Sequence, residues 1–436
     1  MPNRLSPDVV IIGAGVVGAA CAYYAARSGL SVAVVDRGPV AGGTTGAGEG
    51  NLLVSDKEAG PELDLALLST RLWHELAAEP DVLPPETEYE PKGGLVVAPD
   101  EATLKALRVF AEGQRAAGVE SREAAADDLH ALEPHLAPGL AGGFHYPQDA
   151  QVQPAQAAAR LLRASGAVTY LGEEVTGFLT GPDGAVRGVR TARRDIAAPA
   201  VVNAAGTWGG RIAELAGTSL PVLPRRGFVL VTEPLPRVVR HKVYAADYIA
   251  NVASDSAALQ SSAVVEGTPG GPVLIGATRE RIGFDRTLST EALRRLAGQA
   301  AALFPVLAGV KVMRTYHGFR PYLPDHLPAI GPDPRVPGLF HACGHEGAGI
   351  GLAPGTGLLV AQVLTGAEPV LDLAPFRPDR FGEGPDEGPA GAPVSGPADG
   401  MADGPAAGRV SGPTDGPTDG PADPGHPTHG ANGAGR

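Results

Sequence analysis

The sequence predicts an α/β protein: a Rossmann-type dinucleotide-binding domain with an inserted β-rich antiparallel (α+β) domain. Two observations carry the prediction. The chain opens on a strand, a glycine turn, a helix and a second strand, and a mainly strand-like stretch then runs from Val222 to about Arg320 before a last strand and helix.

Asp8–Ile12 is an apolar run, Val16–Arg27 has helical periodicity, and Ser31–Asp36 is a second apolar strand, which together make the βαβ unit of a parallel sheet. Helical spacing returns at Glu62–Glu79, Glu101–Ala117 and Gln156–Ala164. Glu174–Thr180 pairs with Ala185–Thr191 across Gly181-Pro-Asp-Gly184, a hairpin turn sequence. Ala200–Val202 is a short buried strand. Within the later strand-rich stretch one helix is expected at Glu291–Leu303. Leu339–Ala342 is the last strand and Ile350–Leu364 the closing helix, although Gly351, Gly355 and Gly357 each cost a helix about 1 kcal/mol against alanine. Nucleotide-type elements therefore stand at both ends. The division is 1–80, 142–215 and 325–380 for the dinucleotide-binding domain, and 81–141 and 216–324 for the substrate domain. From 382 to 436 the chain is Gly, Pro, Asp, Ala and Thr, too poor in apolar residues to repay ordering, and is expected to be a disordered tail.

Composition narrows the function classes. The 436 residues are 43% apolar, enough for a large core, and the formal charge of −13 with no basic tract argues against nucleic acid as a partner. The two cysteines, Cys21 and Cys343, make neither a secreted disulfide framework nor an iron–sulfur site, which usually takes four thiolates. No metal site is assigned. With no signal-peptide pattern and no apolar run fit to span a bilayer, the expected location is cytoplasmic, without a transmembrane segment.

Gly13-Ala-Gly15-Val-Val-Gly18 follows a strand and opens a helix, which is the context that gives G-x-G-x-x-G its meaning. The first glycine allows the tight turn, the second lets backbone approach a pyrophosphate, and the third packs helix on strand. The diphosphate would lie on the helix N-terminus. Asp36, about 20 residues on at the end of the second strand, suits ribose hydroxyls. This motif does not separate NAD from FAD.

The rest of the chain does. Gly42-Gly-Thr-Thr-Gly-Ala-Gly-Glu-Gly-Asn51, Asn203-Ala-Ala-Gly-Thr-Trp208, His317-Gly-Phe-Arg-Pro-Tyr322 with Pro324-Asp325, and Gly344-His-Glu-Gly-Ala-Gly-Ile-Gly-Leu-Ala-Pro354 occur in that order. As a set they resemble the D-amino acid oxidase superfamily, over roughly Asp8 to Arg380. Within it the sequence is similar to glycine oxidase, sarcosine oxidases and D-amino acid dehydrogenases, and in branch to the flavin subunits of D-hydroxyproline dehydrogenase and hydrogen cyanide synthase. The resemblance implies FAD, with Gly13, Gly15, Gly18, Asp36 and Arg37 holding its ADP half, Val175 touching adenine, and Gly43, Thr44, Thr45, Gly46 and Gly206 beside the flavin. It also implies that Gly347, Gly349 and Ile350 bring a helix N-terminus to the ring. Gly318 stands where monomeric sarcosine oxidases carry their flavin-linking cysteine, so FAD is expected to be non-covalent.

A flavin accepting hydride at N5 builds negative charge at N1 and the C2 carbonyl, which bare amides of a helix N-terminus stabilise. By the same resemblance Arg320 is the substrate anchor: a planar, always-charged fork suits a carboxylate. Tyr248 or Tyr244 could supply a second donor, against an ordinary packing role. His345 and Glu346 flank the last glycine turn, either as flavin or substrate contacts or as surface or core-satisfied residues, and Trp208 and Cys343 are taken as structural. The expected reaction is hydride transfer from the α carbon of a small amino or imino acid, giving an imine. The branch also leaves room for iron–sulfur electron-transfer subunits as partners. The alternatives are an NAD-dependent dehydrogenase and a non-catalytic flavin-fold subunit.

Overall fold

The computed structural model describes residues 6–252 and 254–382. The tail expected at 382–436 lies, Gly382 apart, outside the described residues. A six-stranded sheet runs Ala329–Pro332, Leu339–Cys343, Ala200–Asn203, Val9–Ile12, Val32–Asp36, Val168–Leu171. All neighbours are parallel except the first pair. Val9–Ile12 is buried at every residue, as a central parallel strand covered on both faces must be, so its sequence is a continuous apolar run.

The helix Val16–Arg27 covers one face, packed against the closing helix Gly349–Leu364. That closing helix forms in full despite its glycines and an internal proline. Packing outweighs propensity there: a Cβ on Gly357 would lie 2.6 Å from the Ala20 carbonyl carbon, so the glycine is what lets the two helices touch. The expected hairpin is present as Val175–Thr180 against Val186–Thr191, extended by Asp195–Ala197 into a three-stranded antiparallel sheet.

The strand-rich stretch supplies five strands, and residues 94–146 three more, of an eight-stranded sheet in the order Val312–Tyr322, Leu223–Thr232, Val273–Arg279, Gln260–Gly267, Lys242–Ala245, Gly94–Ala98, Gly142–Tyr146, Arg122–Ala125. Lys242–Ala245 and Gly94–Ala98 are parallel; the other pairs are antiparallel. Gly142–Tyr146, on the dinucleotide side of the expected division, hydrogen-bonds in this second sheet. The helix Thr290–Leu303 buries Leu296, Ala300 and Leu303 beneath it with Leu230, Val265 and Ile275. A short helix, Asp247–Val252, interrupts the strands and places Tyr248 on a helix rather than a strand. Among the described residues no helix is long and apolar enough to cross a membrane.

Candidate active site

The glycine turn is held by its neighbours. Gly13 has φ +116°, and a Cβ there would stand 2.3 Å from the Ala204 carbonyl oxygen; one on Gly18 would stand 2.0 Å from the Gly13 carbonyl oxygen. Asp36 Oδ2 accepts from the Ala14 amide at 2.7 Å and Oδ1 from the Gly38 amide at 2.7 Å, tying the turn to the second strand. Gly15 is the N-cap of the helix, and the Val16 amide donates to the Thr45 hydroxyl at 3.0 Å. The next two amides, of Val17 and Gly18, precede the first intrahelical bond and have no acceptor among the described residues. Such free amides at a helix start favour an anion.

The Arg37 guanidinium stacks 4.0 Å over the Trp208 ring. Val175 begins the hairpin, buried in the cluster with Val10, Ile12 and Val35. The loop after the second strand makes a single 3₁₀ turn, Thr44–Ala47, capped by Gly43 and braced by the Gly46 amide on Ala41 O. The Thr44 hydroxyl donates to the Phe319 carbonyl at 2.6 Å, and Thr207 does so at 2.8 Å, pinning this loop and the Gly206–Trp208 turn to the strand that carries Arg320. Gly206 has φ +55° and open space around it. Glu49 Oε1 and Asn51 Oδ1, on the same loop, are buried without a hydrogen-bond partner among the described residues.

The closing glycine turn mirrors the first. The amides of Gly349, Ile350 and Gly351 precede the first bond of the closing helix, Leu352 N–H to Ala348 O, and have no acceptor among the described residues. Gly347 lies against the Arg320 side chain: a Cβ there would meet Nε at 3.4 Å. His345 is buried with Nε2 3.0 Å from the Thr356 hydroxyl, and burial pushes it down to about 3, so it is a neutral packing residue. Glu346 pairs with Arg225 and, at 2.9 Å, with His326. Burial alone would raise its carboxyl, but the His326 hydrogen bond and the Arg225 charge hold it down to about 2.

A cavity of about 1120 Å³ opens beside this turn, its lining including Gly347, Glu346, Tyr248, Arg279, Lys57 and Glu62. Arg320 lies against Gly347 at its edge, having crossed from the edge strand over Gly227, whose missing side chain leaves the path clear, and Nη1 donates to the Thr278 carbonyl at 2.8 Å. Burial, then the charge of Arg279, pushes Arg320 down to about 10, which still leaves it a cation at neutral pH. The ion pair that would have made Arg320 structural is absent among the described residues. The Tyr248 hydroxyl is likewise uncommitted, whereas Tyr244 bonds Ser55 at 2.6 Å inside the buried Ser55–Asp149 network.

Sequence reasoning missed Arg279, Lys57 and Glu62. Lys57 pairs with Asp56 at 2.6 Å, and burial raises the Glu62 carboxyl to about 7. Nothing in the sequence sets Arg279 apart from the other basic residues; its one local signal is that it ends an apolar strand.

A mostly parallel sheet with two glycine turns offering free helix amides, next to a cavity edged by cations, defines a dinucleotide-dependent oxidoreductase. Residues 8–363 match the family model DAO, FAD dependent oxidoreductase, and the chain belongs to that family. It is 33% identical to a glycine oxidase of Geobacillus kaustophilus, over 85% of this chain and 96% of that protein. It is 30% identical to hydrogen cyanide synthase subunit HcnC of Pseudomonas aeruginosa, over 87% and 97% respectively. The crystal structure of glycine oxidase from G. kaustophilus superposes with a TM-score of 0.77 at 31% identity, covering 86% of this chain and 98% of that one. FAD, not a nicotinamide, is the dinucleotide. The free amides of both helix starts and the orphaned Glu49 and Asn51 oxygens between them are what a buried polar cofactor would satisfy, so the residues present fit it.

Proposed function

We propose that this enzyme oxidises the Cα–N bond of a small amino or imino acid to an imine, with FAD bound non-covalently. The observation that carries this is Arg320, a cation without a carboxylate partner, lying against the glycine turn that opens the closing helix. FAD, when bound, supplies the two-electron acceptor. Val17 and Gly18 would hold its diphosphate, with Asp36, Arg37 and Val175 on the adenosine side and the Gly43–Gly46 turn and Gly206 beside the ring. The free amides of Gly349 and Ile350 would face developing negative charge.

Arg320 would bind the substrate carboxylate with the donors that Thr278 leaves free, and the Tyr248 hydroxyl would complete that grip. Fixing the α carbon in this way supplies orientation, the largest contribution the protein makes to such a transfer. Non-covalent binding is supported by Gly318: a Cβ there would sit 2.5 Å from the Ala47 Cβ, so no linking side chain fits. In the proposed division of labour residues 1–80, 142–215 and 325–380 serve FAD and 81–141 and 216–324 serve substrate, with Gly142–Tyr146 counted on the substrate side because it pairs there. A cytoplasmic location and iron–sulfur partner subunits complete the reading; a relative that is itself named a subunit supports partner subunits as such.

The test is an absorbance spectrum of purified protein before and after anaerobic addition of glycine, sarcosine, D-alanine, D-proline and 4-hydroxy-D-prolines. A flavin band at about 450 nm that one of these bleaches supports the proposal. A yellow protein that no amino or imino acid bleaches refutes the substrate class.

A further inference from the structure

Arg279 is buried, only 3% exposed, and lines the cavity. Its guanidinium makes no hydrogen bond or ion pair among the described residues; its one contact of note is the Tyr248 ring, 4.6 Å from Cζ. Every other cation lining the cavity is engaged: Lys57 by Asp56, and His326 by Glu346 and Asp255. Asp56 and Glu346 are in those pairs, Asp325 holds Arg380, and Asp247 accepts from Ser262. Of the acids, Glu58 and Glu62 make no hydrogen bond or ion pair among the described residues, and Glu346 and the buried Glu49 feel the Arg279 charge without pairing with it. An arginine sunk among apolar and aromatic groups without an anion is costly, by several kcal/mol per buried ion. A site that keeps one is short of a negative charge that its ligand brings.

Two buried arginines without an ion-pair partner leave more positive charge than one carboxylate neutralises. They stand on strands separated by Leu223–Thr232, so their backbones are about 10 Å apart. Arg320 spans that gap and stops at the Thr278 carbonyl; Arg279, the next residue along, carries on to Tyr248 and the cavity wall.

We propose that Arg279 binds a second carboxylate, so that the preferred substrate is an amino or imino dicarboxylic acid, its α-carboxylate on Arg320 and its distal one on Arg279. The inference rests on the amino acid oxidation proposed above and names the substrate class within it.

The test uses the holoenzyme and matched pairs that differ by one carboxylate: sarcosine and iminodiacetate, D-alanine and D-aspartate, D-2-aminobutyrate and D-glutamate. Anaerobic flavin reduction should favour the dicarboxylate of at least one pair by about 10- to 100-fold in kcat/KM, the worth of a charge-assisted hydrogen-bonded contact. Arg279→Met should bring that ratio to near one, and Arg279→Lys should restore part of it. A ratio near one in the wild type, or one that Arg279→Met leaves standing because both members fall alike, overturns the proposal.

Binding of succinate, malonate and acetate, followed by calorimetry, separates this inference from the parent one. Arg279-dependent preference for the diacids in a protein whose flavin no amino acid reduces would keep the second-carboxylate site and discard amino acid oxidation. Amino acid turnover without such a preference would do the reverse.

Discussion

Replacing Arg320 by methionine tests how the site handles charge. The guanidinium donates one hydrogen bond to the protein, to Thr278 O, and Arg279 repels it strongly enough to help bring it down to about 10. Deleting it therefore costs the fold about 1 kcal/mol for the lost bond, offset in part by relief of that repulsion. The melting temperature should fall by no more than about 3 °C. Substrate binding loses a charge-assisted, two-pronged contact of about 2–4 kcal/mol, or about 30- to 1000-fold in kcat/KM. Stopped-flow reduction of the flavin separates the substrate dissociation constant from the limiting rate, and the loss should fall mainly on the former, with FAD content unchanged. An Arg320→Met protein that melts about 10 °C lower yet binds substrate as before would refute the reasoning and make Arg320 a structural residue.

Tyr248→Phe removes a hydroxyl without a protein partner, so stability should hold while kcat/KM drops by about tenfold. Tyr244→Phe breaks the bond to Ser55 and should show the opposite pattern, about 1–2 kcal/mol of stability lost in urea melts with turnover kept. Gly357→Val drives a side chain into Ala20 and should lower the midpoint of denaturation by about 1–3 kcal/mol or more and lower FAD retention on gel filtration. The pH dependence of stability should carry the mark of His345. Its folded form is held neutral down to about 3 against an ordinary value of 6.5, so the unfolded chain binds the extra proton between those limits. Stability then declines as pH falls through that window, at up to about 1.4 kcal/mol per unit, and His345→Gln should flatten the decline in denaturant titrations across pH 4–6.

The first βαβ unit was legible because local chemistry and global position agree. Val9–Ile12 is apolar at every residue since it is covered on both faces, and Gly13 and Gly18 are glycines because backbone passes where a Cβ would be. The hairpin at Val175–Thr191 and the helix at Thr290–Leu303 follow from turn residues and periodicity in the same way. Arg320 was legible through a motif resemblance.

Other features had no local signature. Gly142–Tyr146 joins the eight-stranded sheet through partners 17 to 52 residues away. The closing helix runs through Gly351, Gly355 and Gly357, which intrinsic propensity counts against it, because Ala20 needs the space at Gly357 and Leu65 and Ser69 need it at Gly355. Arg279 is one basic residue among the 35 lysines and arginines until the fold sets it two strands from Arg320 and denies it an acid. By itself the sequence determined the dinucleotide turn, the elements around it and the family, since those depend on residues near one another in the chain. Which cations remain unpaired, and so what a ligand must bring, was decided only by tertiary structure, because an ion pair is a statement about distance and burial rather than order.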